Sequence, residues 1–435
     1  MTTTAAISPL RNRCTRVYWT CHFLRWLPLG LVMPVMALLP SERGLELAEI
    51  GVIFGVYSTV ATVLGLPSGN LADVVGHKPV LLIAGLFEAA WYAGFLFATT
   101  VTQFAVAIAL GGIGRALAAS SLEAWYVDQI RAEAPDADVR RPISGAMFLT
   151  NVAVLMGALG AAGLPLLPER ITSWADSVAV LPLLAAVVCA AVYVIVLART
   201  ITETRPQGGV RAAFREMNRF PGLAVESLRT AASGGPLRLL LIAGLAVGTG
   251  IGALEAFWQP QLAGMMDDPS TATTTFGLIV GASTVLGGCA SLIIAKLPSS
   301  VARHAHLICA GLLGGLGTAI LVFGLTDGFA LAVAAYLAVH LFLELRAPLA
   351  QTLLHSAVPP GKRASVLATY AMSTNLGAVA ATVGLGAFAG YLGMTTVWLA
   401  AGSITIVGGA AYLRLRATAR RTKTVSYVVS RMSRL

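Results

Sequence analysis

Several sets of side chains in this sequence are spaced to do chemistry where water is scarce. Tyr336, His340 and Glu344 recur every four residues and share one face of a helix. A carboxyl next to an imidazole on such a face can pass a proton or hold a cation. Gly248, Gly252, Glu255 and Gln259 also fall on one face, with Trp258 and Pro260 alongside. Burial opposes the charged form of an acid, so Glu255 on a glycine-lined stripe suits a proton or a cation. Arg115 and Glu123 are turned about 80° from each other on a helix, so both can border one cavity, whereas Asp128 faces elsewhere. Arg25 is a lone cation within an apolar run. Ionisable groups so placed are costly and face a cavity or a partner. A further polar group, Gly69–Lys78, interrupts two apolar runs. Its length predicts a tight turn with a fixed charge arrangement at a membrane face.

The elements that must position these groups are membrane spans. Of the 435 residues 57% are hydrophobic and 11% charged, against about 25% charged in a soluble domain. A spanning helix needs about 20 apolar residues, and twelve such runs are present: 17–39, 47–68, 79–98, 102–126, 143–166, 177–198, 237–261, 275–296, 305–325, 329–350, 365–388 and 393–414. The fold class is therefore all-α and integral to the membrane. Arginines precede the first run, but it is too long for a signal-peptide core and no small-residue cleavage site ends it, so it reads as a retained span.

Lysine and arginine orient the chain. With both termini in the cytoplasm, 25 of the 30 fall in cytoplasmic segments, Arg43 and Arg170 in outer loops, and Arg25, Arg115 and Arg346 within spans. This is a positive-inside bias, and it accounts for the net charge of +10 without a nucleic-acid partner. The expected location is a cell membrane, multi-pass, with basic segments touching anionic lipid. Residues 1–198 and 237–416 form six-span halves, separated by a basic loop, 199–236, and followed by a basic cytoplasmic tail, 417–435. The loop reads either as an amphipathic helix on the inner surface or as a basic linker. Ser58-Thr59-Val60 and Ser283-Thr284-Val285 occupy equivalent places in spans 2 and 8, in keeping with repeated halves.

Gly69-Asn70-Leu71-Ala72-Asp73-Val74-Val75-Gly76-His77-Lys78 resembles the loop 2–3 signature of the major facilitator superfamily, with Val74 and His77 in place of arginines. Leu110-Gly111-Gly112-Ile113-Gly114-Arg115 resembles that family's span 4 arginine motif. Gly157, Gly160, Gly163 and Pro165 loosely resemble the span 5 signature of drug:proton antiporters, lacking its central proline. The resemblance implies two pseudo-symmetric six-helix halves. It places spans 1 and 4 together, which makes an Arg25–Glu123 pair the expectation, and spans 7 and 10 around a second cavity. It implies a gating cluster of Gly69, Asp73, Gly76, His77, Lys78 and Asp128, made pH-sensitive by His77. Arg346 is expected at the inner rim, and Glu88 in a structural bond to a neighbouring helix.

These readings imply a secondary transporter: proton-coupled efflux by a monomer of lipophilic small molecules or drugs, cations among them. The substrate and proton residues are Arg25, Arg115, Glu123, Glu255, Trp258, Gln259, Tyr336, His340 and Glu344. The alternative is proton-coupled uptake of a polar or anionic solute bound by Arg25 and Arg115, and a remote one is a non-transporting scaffold or sensor. No phosphate loop with lysine and no enzyme signature is present, so no catalytic residue is assigned. The five scattered cysteines show no metal-ligand spacing. No cofactor is expected, and a proton gradient supplies the energy.

Overall fold

The computed structural model describes residues 13–118, 121–134, 137–168, 177–202, 235–296, 304–357 and 363–432. Every regular element among them is helical. Among the described residues twelve helices are long and apolar enough to cross a membrane: Arg13–Glu42, Leu47–Leu64, His77–Phe97, Val101–Ala132, Arg140–Leu166, Val180–Thr200, Pro236–Ala263, Pro269–Ile294, Ala305–Leu325, Phe329–Ser356, Thr369–Ala389 and Met394–Leu415. Helices satisfy their own backbone groups, which is the condition for spanning lipid. They are numbered here as spans 1 to 12. Most of the central loop, residues 203–234, lies outside the described residues. The tail is helical to Met432, but its side chains from residue 416 onward lie outside them too.

The turn expected across Gly69–Lys78 contracts to one residue. The helix carrying span 2 continues from Leu47 to Val75, and span 3 starts at His77. Between them Gly76 adopts φ 105°, a backbone conformation open to glycine at little cost. At the other end of span 3, Arg43 donates to the carbonyls of Ala98 and Leu96, the latter at 2.9 Å, and so occupies terminal acceptors of that helix. Asp268 precedes span 8 and accepts from the Ser270 hydroxyl at 2.6 Å and its amide at 3.0 Å. Those bonds hold its carboxyl below the ordinary carboxylate range.

The chain divides into two compact units. The first comprises Met1–Leu45, Val63–Phe220 and Asp268–Val285, and the second Glu46–Thr62, Pro221–Asp267 and Leu286–Leu435. The start of span 8 thus belongs with the first six spans and the start of span 2 with the last six. Each segment is held by close backbone approach. In the first unit Thr274 donates to the Ala162 carbonyl at 3.0 Å, and a Cβ on Gly277 would lie 2.6 Å from the Ala158 carbonyl. In the second, Gly51 abuts the Thr382 carbonyl. Span 11 carries a π-helical turn at Ala380–Leu385 just there, one of the recognised sources of local helix distortion.

Each unit has its own apolar core. In the first, Tyr18, Cys21, Leu81, Leu122, Trp125, Tyr126, Tyr193 and Leu197 pack together. In the second, the core runs through Leu240, Val247, Cys309, Leu313, Leu349, Leu354 and Tyr412.

Candidate functional site

In the first unit Arg25 pairs with Glu88, not with Glu123 as expected. Its Nη2 lies 2.8 Å and its Nε 3.2 Å from Glu88 Oε1, and each side chain is 11% exposed. Depth and space decide the partner. Arg25 and Glu88 stand at like heights, each about 17 Å from its helix start at 1.5 Å per residue. Gly114 of span 4 leaves the room that Glu88 fills, since a Cβ there would come within 2.8 Å of Glu88 Cγ. Glu123 is exposed, and its charge is felt by Tyr18. Glu88, set aside in the sequence as a structural bond to a neighbour, is therefore the counter-ion of a candidate site residue. Arg115 is exposed and lies over the Trp26 ring at 5.6 Å; Arg25 lies 5.8 Å from the same ring. Among the described residues Arg115 has no ion pair.

Next to this pair lies a histidine that the sequence reading missed. His22 Nδ1 is 3.4 Å from Thr150 Oγ1, and the ring meets Tyr18 edge-on at 4.7 Å. Tyr18 stacks on Tyr126 at 4.4 Å. His22 Nε2 is buried without a hydrogen-bond partner. A signal for it did exist: Tyr18 and His22 have the same four-residue spacing as Tyr336 and His340.

At the gating motif, His77 Nε2 lies 3.3 Å from Asp128 Oδ2. His77 is almost wholly enclosed, whereas the Asp128 side chain is 69% exposed. Lys78 Nζ donates to the Ala198 carbonyl at 2.9 Å. Gly69 and Asp73 are helical in backbone, and their surroundings lie outside the described residues.

In the second unit the structure brings Tyr336, His340 and Trp258 together. The Trp258 and Tyr336 ring centroids are 4.7 Å apart, and those of Tyr336 and His340 4.6 Å. His340 Nε2 is buried with no hydrogen-bond partner. Glu344, one turn on and half-buried, lies over Gly287 of span 8, where a Cβ would approach its Cγ to 3.2 Å. Glu344 forms no hydrogen bond or ion pair with any described residue. Gln259 is buried, and Glu255 is exposed within electrostatic reach of Tyr336.

The glycine stripe of span 7 lines no cavity, contrary to expectation. A Cβ on Gly248 would collide with the Thr374 carbonyl, and one on Gly252 would lie 2.6 Å from Ala378 Cα. Span 11 occupies that stripe, because two helices without large side chains between them close to backbone contact. Arg346 also differs from expectation. It is 4% exposed and donates through Nη1 to the hydroxyls of Tyr412 at 2.9 Å and Tyr370 at 3.2 Å.

Residues 18–297 match the profile of the Major Facilitator Superfamily. Over 97 residues the chain is 31% identical to an uncharacterized MFS-type transporter of Methanocaldococcus jannaschii, a match covering 22% of this chain and 25% of that protein. The chain thus spans about a quarter of the length of that curated relative. Among solved structures it is similar to the nucleoside transporter NupG, with a TM-score of 0.72 at 12% identity over 92% of this chain and 98% of that one. It is also similar to a proton dependent oligopeptide transporter, with a TM-score of 0.69 at 12% identity over 94% and 99%. A human organic anion transporter gives a TM-score of 0.61 at 17% identity over 92% and 99%. At these identities the likeness is one of fold.

Proposed function

The chain belongs to the major facilitator superfamily, and from that premise we propose that it exports a lipophilic cation in exchange for protons by alternating access. The observation that carries this reading is Glu344, a half-buried carboxyl in span 10 with no partner among the described residues. An unpaired acid in a membrane helix must take up a proton, a cation or water. A proton and a cationic substrate then compete for one carboxylate, which is the minimum requirement for exchange. The Trp258–Tyr336 ring pair lies buried two turns of helix from Glu344 and would meet an apolar cation only when the cavity opens during alternating access. His340, one turn from Glu344 on the same helix face, relays the proton. Glu255 adds a second acid near Tyr336. Among the fold relatives, one is described as proton dependent. The lysine and arginine distribution supports cytoplasmic termini and a cell-membrane location, and the protein is taken to work as a monomer.

The test is uptake of a cationic dye into proteoliposomes under an imposed pH gradient. Glu344→Gln should abolish the pH-driven component and also weaken dye binding, seen as a higher dye concentration for half-maximal flux, because the same carboxylate holds the cation. Transport indifferent to the gradient, or unchanged in that variant, rules the mechanism out.

One observation favours the alternative, uptake of a polar or anionic solute. Arg115 is exposed against Trp26 and is free to meet an anion, whereas Arg25 is already neutralised by Glu88. Accumulation of an organic anion that is lost in Arg115→Ala, with no cation movement, would select this reading.

A further inference from the structure

Arg346 carries a full charge into the core of the second unit and forms no ion pair with any described residue. Arginine stays protonated in proteins, so its cost cannot be relieved by losing the proton. A buried cation without a counter-ion is destabilising by several kcal/mol unless an anion arrives. Among the described residues its hydrogen bonds are those to Tyr370 and Tyr412, and it forms no ion pair. Its Nε is buried and unsatisfied.

The hydrogen-bond direction sharpens the point. Guanidinium only donates, so both tyrosine oxygens accept from Arg346. Each hydroxyl then has its own proton left to give, and neither gives it to any described residue. The two hydroxyls lie 2.9 and 3.2 Å from the same guanidinium nitrogen, so both remaining protons sit next to one positive charge. The Cys309 thiol, fully buried, is within electrostatic reach of the guanidinium. The cluster is therefore a surplus of donors around a positive charge, lacking an acceptor. Pro348, two residues on in the same helix, cannot donate to the Glu344 carbonyl, which removes a backbone tie on the turn bearing Arg346.

We propose that Arg346, Tyr370 and Tyr412 form a buried receptor for one small anion. The chemistry fits a halide or the carboxylate of an organic acid. This site is separate from the Glu344 reading and does not depend on it.

The experiment is thermal unfolding of the purified protein in detergent and low-salt zwitterionic buffer, titrated with sodium chloride, sodium bromide or sodium benzoate. The wild type should show a saturable rise in Tm of a few degrees. Tyr412→Phe should raise the half-saturating concentration about tenfold, the equivalent of one lost hydrogen bond to a charged ligand. Arg346→Gln should abolish the shift; if that variant does not fold, Tyr412→Phe and Tyr370→Phe carry the test. Saturation by chloride and bromide but not benzoate identifies a resident halide. Saturation by benzoate identifies an organic carboxylate. Glu344→Gln should keep the shift, which separates this site from the proposed proton site. No saturable shift with any probe in the wild type, or an unchanged midpoint in both tyrosine variants, overturns the proposal.

Discussion

Arg25 and Arg346 are both arginines held within membrane helices, one in each compact unit, and they are accommodated differently. Arg25 meets a carboxylate at 2.8 Å, and the two side chains screen each other. Arg346 meets two phenol oxygens, at 2.9 and 3.2 Å, and keeps its charge. The first arrangement is complete within the chain and reads as fixed architecture. The second is complete only when something negative joins it. The same residue type in the same solvent can thus be scaffold or receptor, and its neighbours decide which.

The largest expected effect tests the first half of that contrast. Glu88→Gln strands the Arg25 charge and should cost about 3–5 kcal/mol of stability, read as lowered Tm in detergent. Adding Arg25→Met to Glu88→Leu should recover most of it, because an apolar pair needs no compensation. Tyr412→Phe comes next, at about 2 kcal/mol for the shorter bond to the guanidinium, and Tyr370→Phe follows at about 1 kcal/mol for the longer one. If Glu88→Gln costs no more than Tyr412→Phe, the two arginines are not held differently and the contrast fails. The smallest effect lies at the exposed latch. Asp128→Asn should change stability by under about 0.5 kcal/mol, since an ion pair with one partner in water contributes little. A large loss there would place the latch in the architecture instead of the gate.

Much of the fold was legible because the relevant free energies are local. Each span is recognisable from its own twenty or so apolar residues, and the even count follows from where lysine and arginine fall. Part of the candidate site's layout was legible for the same reason: Tyr336, His340 and Glu344 lie on one helix, so their shared face is a matter of period. The partner of Asp128 came from a motif. The partner of Arg25 could not be read, because helical period fixes the direction of a side chain and says nothing of depth or of the space a glycine clears on another helix. Gly114 made room for Glu88, and that fact belongs to spans 3 and 4 together. The span 7 stripe was ambiguous in the same way. A row of glycines opens a cavity or admits a neighbouring backbone, and span 11 admitted itself.

The sequence by itself determined a twelve-span, all-helical membrane chain and the positions of its few ionisable residues, because hydrophobic length and period are properties of single helices. Only the tertiary structure decided which of those charges are answered. Arg25 is, by Glu88; among the described residues Arg346 has two phenols and no acid, and Glu344 has no partner. Pairing depends on height, glycine clearance and interhelical contact, which no single helix encodes.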